Sequence, residues 1–113
     1  MELVREEDKT YRFGDWGIKY LFRGPRLDWG VFYLKPGTKL GAHYHNQVEE
    51  TFFILEGKGF LKTEGQEIIL EKGCALHLNP GEKHDLYALA DSFLRGIFIK
   101  SPYLPEDKVD CSI

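Results

Sequence analysis

At 113 residues, 42% hydrophobic and 14% aromatic, the chain suits one domain spanning 1–113 with a core of its own. Its formal charge of -3 lacks the basic excess expected of a nucleic-acid reader. No apolar run approaches the roughly 20 residues that span a bilayer, so neither nucleic acid nor membrane is an expected partner.

The chain opens with MELVREEDKT, a charged segment without the apolar stretch of a secretory leader, which predicts a cytoplasmic protein. Eight of the 16 aromatic residues fall within 1–33. A segment so rich in aromatics is not a disordered tail, and it is expected to pack on its own barrel or on a partner chain. Strands are predicted at 10–13, 17–23, 28–35, 41–45, 50–56, 59–64, 67–71, 75–78, 84–89 and 92–100. Each is a short run of β-branched, aromatic or leucine residues bounded by glycine or proline, and no long segment carries a helical period. KPGTK and NPGEK are turns in which proline presets φ. TEGQE is a tight hairpin with Gly65 at positive φ. LPEDKVDC, near the C-terminus, predicts a single helical turn, because proline suits the first helical position and acids follow it. Cys74 and Cys111 form no close pair and no disulfide framework. The pattern as a whole is that of an all-β sandwich or barrel.

His43 and His45 lie two apart, which on a strand puts both imidazoles on one face. Asn46, Gln47 and Val48 are compatible with a turn, and Glu50 opens the next strand, where its carboxylate can reach the same point. His84 follows the NPGEK turn. Imidazoles with a carboxylate suit a divalent transition ion, Fe, Mn, Zn, Ni or Cu; the alternative that these residues alone leave open is an exposed polar pair at His43 and His45.

These segments resemble the two motifs of the cupin family. The first is glycine, five residues, His-x-His, three or four residues, glutamate, six residues and glycine. Here it reads Gly37, TKLGA, His43, Tyr44, His45, NQVE, Glu50, TFFILE, Gly57. The second runs from Gly73 through CALHL, Asn79-Pro80-Gly81, EK, His84 and DLY to Ala88. Asn79 stands where the family has proline and Ala88 where it has asparagine; Pro80, one place later, keeps the turn. Fifteen residues separate the motifs, a spacing similar to that of small single-domain microbial cupins. The resemblance implies a double-stranded β-helix, or jelly-roll barrel, with one metal ion held by His43, His45, Glu50 and His84. Glu49 is the rival to Glu50, since the shorter spacing is also allowed; Glu50 is preferred because Gly57 then falls in register.

By strand parity, Phe52 and Ile54 share the face of Glu50, and Leu86 that of His84, which predicts a largely apolar pocket wall. His77 fits no ligand position and is expected either to pack as a hydrogen-bonded ring or to serve as a pocket acid or base. Phe53 and Leu55 face the other way, and in SFLRGIFIK Phe93, Ile97 and Ile99 oppose Leu94 and Phe98. Apolar residues on both faces predict a homodimer. Arg95 is expected at a rim or interface. The resemblance implies either a metalloenzyme acting on a small organic molecule or a non-catalytic small-ligand binding or sensing domain. Lys35, Lys39, Lys62, Lys83 and Arg95 do not converge by parity. The apolar wall therefore favours dioxygenase-type chemistry over isomerase, epimerase or decarboxylase chemistry.

Overall fold

Alternation of apolar inner residues with more exposed outer ones drives the strands onto one core. In the computed structural model, which describes all 113 residues, strand β1 is Gly17–Arg23 and β2 is Asp28–Leu34. Within β2, Phe32 and Leu34 are fully buried, while Trp29 and Tyr33, at alternate positions, stay half-buried on the outer face. The remaining strands are β3 (His43–His45), β4 (Glu49–Thr63), β5 (Gln66–Glu71), β6 (Ala75–Leu78), β7 (His84–Ala88), β8 (Leu94–Ser101) and β9 (Lys108–Asp110). All pairings are antiparallel.

One sheet runs β1-β2-β8-β4-β6 and the other β5-β4-β7-β3-β9, with β4 passing through both. This is the expected all-β, double-stranded β-helix. Phe32, Phe52, Phe98, Leu61, Leu86 and Leu94 fill the space between the sheets, with Phe32 edge-on to Phe52 at 5.7 Å. Burial of such side chains contributes roughly 1.5–3 kcal/mol each.

Four predicted elements differ. The strands expected at 50–56 and 59–64 are one strand of 15 residues. Gly57 makes the bend possible: its φ is +86°, and a Cβ there would overlap the Phe93 carbonyl oxygen. The segment 10–13 is no strand but a turn, with Tyr11 bridged to Gly14 and the Arg12 amide donating to the Ile18 carbonyl at 2.8 Å. The helical turn expected in LPEDKVDC is instead a turn followed by β9. Asp107 accepts hydrogen bonds from the Gln47 and Val48 amides at 2.8 and 2.9 Å, and residues 108–110 then pair with the open edge of β3. An edge strand with unmet backbone groups thus overrides local helical preference.

The N-terminal aromatics pack on the chain's own barrel. Tyr11 lies over the Lys19 ammonium at 4.1 Å, and Tyr20 meets Phe98 edge-on at 5.3 Å. Part of the outer face remains open, with Phe53 42% and Ile99 41% exposed. No helix is long and apolar enough to cross a membrane.

Candidate metal centre

A two-residue repeat brings His43 and His45 to the inner face of β3, and register does the rest. His43 stands directly opposite His84 of β7, so the two rings share a face. Glu50, at the start of β4, points inward from the facing sheet. All four residues are buried, and one ligand atom from each lies within 4.8 Å of the others. The sequence-predicted set therefore converges.

The ring nitrogens are oriented from behind. His43 Nδ1–H donates to the Gly41 carbonyl and His84 Nδ1–H to the Glu82 carbonyl, both at 2.8 Å. A carbonyl only accepts, so each ring carries its proton on Nδ1 and turns an Nε2 lone pair to the centre. Asp85 secures this arrangement by accepting the Gly41 amide at 2.8 Å.

Glu50 Oε1 lies 3.4 Å from His45 Nε2 and 3.6 Å from His84 Nε2. These three buried atoms have no hydrogen-bond partner. Unpartnered buried polar atoms are costly in an apolar interior. Three of them aimed at one point, on imidazole and carboxylate groups, fit a divalent transition ion. Burial, reinforced by the neighbouring His84, pushes the His43 ring down to about 4, keeping it neutral and able to donate a lone pair. Burial alone would raise the Glu50 carboxyl. The His45 and His84 rings and the Lys100 charge outweigh it and hold Glu50 well below the usual carboxylate range.

Glu49 lies on the opposite face, its side chain 53% exposed and 3.8 Å from His77. His77 is also outside the pocket: its Nδ1 is hydrogen-bonded to the Thr51 hydroxyl at 2.9 Å on the outer surface. Strand parity explains this, since Thr51 and His77 stand opposite each other in register, one place from inward-facing Glu50 and Leu78. Phe52 and Leu86 do line a narrow chamber of about 20 Å³ at the centre, together with Ile18 and Leu40. Ile54 shares their face but lies deeper, 1% exposed in the core, and is absent from the chamber wall.

A larger cavity of about 270 Å³, with His45 in its wall, shares Arg12, Lys100 and Lys108 with that chamber and adds Arg23, Tyr20 and Asp28. These cations are absent from the set weighed by sequence parity. Lys100 continues the inner face of Leu94 and Phe98, a signal present in the sequence. Lys108 was hidden by the expected helical turn, and Arg12 by the expected strand at 10–13.

A match to the cupin domain over residues 30–99 joins this site and fold: the chain belongs to the cupin family. It is 28% identical over 76 residues to the tetracenomycin polyketide synthase protein TcmJ of Streptomyces glaucescens, covering 67% of this chain and 51% of that one. It is 36% identical over 70 residues to quercetin 2,3-dioxygenase of Bacillus subtilis, covering 62% of this chain and 20% of that enzyme. The chain thus spans about half the length of the first relative and a fifth of the second. A double-stranded β-helix protein of Klebsiella pneumoniae superposes with a TM-score of 0.84 at 13% identity, over 100% of this chain and 99% of that one; at that identity the likeness is one of fold.

Proposed function

We propose that this cupin is a metalloenzyme that binds one divalent transition ion through His43, His45, Glu50 and His84 and acts on a small organic molecule by dioxygenase-type chemistry. The observation that carries the reading is the set of three buried, unpartnered atoms, His45 Nε2, Glu50 Oε1 and His84 Nε2, facing one point. Four protein ligands leave an octahedral ion two positions, enough for a substrate oxygen and a second small molecule. When bound, the ion supplies Lewis-acid or redox activation at those positions.

The chain's own residues provide the rest. Gly41 and Glu82, through their carbonyls, fix the tautomers of His43 and His84. Ile18, Leu40, Phe52 and Leu86 form the apolar part of the chamber wall, which Arg12, Lys100 and Lys108 complete, so the largely apolar wall expected from strand parity is only partly present. At about 20 Å³ the chamber has room for a single ion or water-sized molecule between the candidate ligands. In dioxygenation both oxygen atoms enter the organic substrate, so no separate reductant is required. The match to quercetin 2,3-dioxygenase over 70 residues agrees with this reading. Outward-facing Phe53 and Ile99 support assembly as a homodimer.

The test is elemental analysis of protein purified without added metal, then oxygen-uptake screening with the native ion. Stoichiometric metal with oxygen consumed alongside substrate is expected. Stoichiometric metal and ligand binding without turnover would favour a binding or sensing domain, and turnover without oxygen uptake would favour an isomerase, epimerase or decarboxylase.

A further inference from the structure

The cavity beside the metal centre has a charge that the chain as a whole does not. The protein carries a formal charge of -3, yet four cations, Arg12, Arg23, Lys100 and Lys108, line one space of about 270 Å³. Register builds this concentration. Lys100 stands directly opposite Glu50 across β4 and β8, and Lys108 directly opposite His45 across β3 and β9. Directly opposed residues share a face, so both lysines extend inward beside candidate ligands. Arg12 arrives from the N-terminal turn and lines the cavity and the metal chamber alike.

Salt bridges take up only half of the set: Arg23 is paired with Asp28 at 3.2 Å and Lys108 with exposed Asp110 at 3.6 Å. Arg12 and Lys100 enter no ion pair; Lys100 donates only to the Tyr20 hydroxyl, at 3.1 Å. Arg12 and Lys100, free of salt bridges although Lys100 feels the Glu50 charge, stand at the junction of a concave cavity and a buried centre and focus positive potential onto whatever enters. A cavity of about 270 Å³ is large enough for a small organic ligand. The match to the cupin domain spans 30–99 and so contains all four candidate ligands but none of the four cations.

We propose that the Arg12, Lys100 and Lys108 wall selects a small organic anion, holding its carboxylate or phosphate group next to the oxygen that meets the metal. Arg12 offers a planar fork for two anion oxygens, and the lysines act as point charges on either side. This specificity rests on the metalloenzyme reading for its chemistry, but not for its binding step.

The experiment is calorimetric titration of the full chain at low ionic strength, zinc-loaded and metal-free. The probes are malonate, its neutral diamide malonamide, and inorganic phosphate. Metal content is measured separately by elemental analysis. Malonate or phosphate should bind at least about tenfold more tightly than malonamide, and whichever binds more tightly identifies the anion class. Arg12→Gln and Lys100→Gln should each weaken anion binding by about tenfold, the effect of losing one charged hydrogen bond. Both should leave malonamide binding unchanged, and Lys72→Gln, on the exposed surface, should change nothing. Arg12→Gln keeps the backbone hydrogen bond that seats its turn, so it remains informative if Lys100→Gln misfolds. Anion binding to metal-free protein with the same dependence on Arg12 sustains the proposal even where zinc fails to load. Affinity for malonamide equal to that for both malonate and phosphate, or wild-type anion affinity in Arg12→Gln, overturns it.

Discussion

Acidification of the metal-free protein tests the electrostatics of the centre directly. Burial and the adjacent His84 lower the His43 ring from 6.5 to about 4. Between those two values the unfolded chain takes up a proton that the folded chain refuses, so stability falls as pH drops from 6.5 to about 4. Below that both states are protonated and the His43 contribution levels off. A shift from 6.5 to about 4, at 1.36 kcal/mol per unit, is worth about 3 kcal/mol. That is a large share of the roughly 5–15 kcal/mol by which domains are stable. Glu50 is displaced downward as well, so its stabilisation is present above the ordinary carboxylate range and is lost as pH falls through and below about 4.5. The two losses therefore follow one another, His43 first. The assay is urea unfolding of chelator-treated protein at half-unit steps from pH 7.5 to 4, beside His43→Phe, which removes the titrating ring. Wild type should lose about 3 kcal/mol over this interval, and the variant should show a much shallower slope. Parallel profiles for the two proteins would refute the assignment to His43.

Metal content separates the inner histidines from the outer one. His43→Ala, His45→Ala and His84→Ala should each bind little metal by elemental analysis, and His77→Ala should bind as wild type does. Glu50→Gln should weaken metal binding, whereas Glu49→Gln, altering an outward-facing carboxylate, should leave stoichiometry unchanged. Gly57→Ala places a side chain at φ +86° against the Phe93 carbonyl; thermal unfolding should show a loss of at least about 1–3 kcal/mol. Phe53→Lys combined with Ile99→Glu should turn a dimer into a monomer in sedimentation experiments, without changing metal content. A monomeric wild-type protein at micromolar concentration would remove the basis for that expectation.

Strand parity is local chemistry. Alternation along one strand is enough to place His43 with His45, Phe52 with Glu50, and Phe98 opposite Ile97, because successive side chains point to opposite faces wherever the strand lies. The turns at Pro36-Gly37 and Pro80-Gly81, the hairpin at Gly65 and the spacing of the two motifs are likewise local, and the sequence alone determined them. Pairing between strands is not local. That Lys100 faces Glu50, that Lys108 faces His45, and that Thr51 holds His77 on the outer surface depend on registers between segments tens of residues apart. The strand at 108–110 exists because β3 offers an unpaired edge there, a requirement that no residue within LPEDKVDC encodes. The depth of Ile54 below the chamber also follows from how the two sheets close on each other. The candidate ligands were thus legible from the motif resemblance, with spacing alone pairing His43 and His45, while the cationic wall beside them was decided by tertiary structure, because register brings distant strands to a common face.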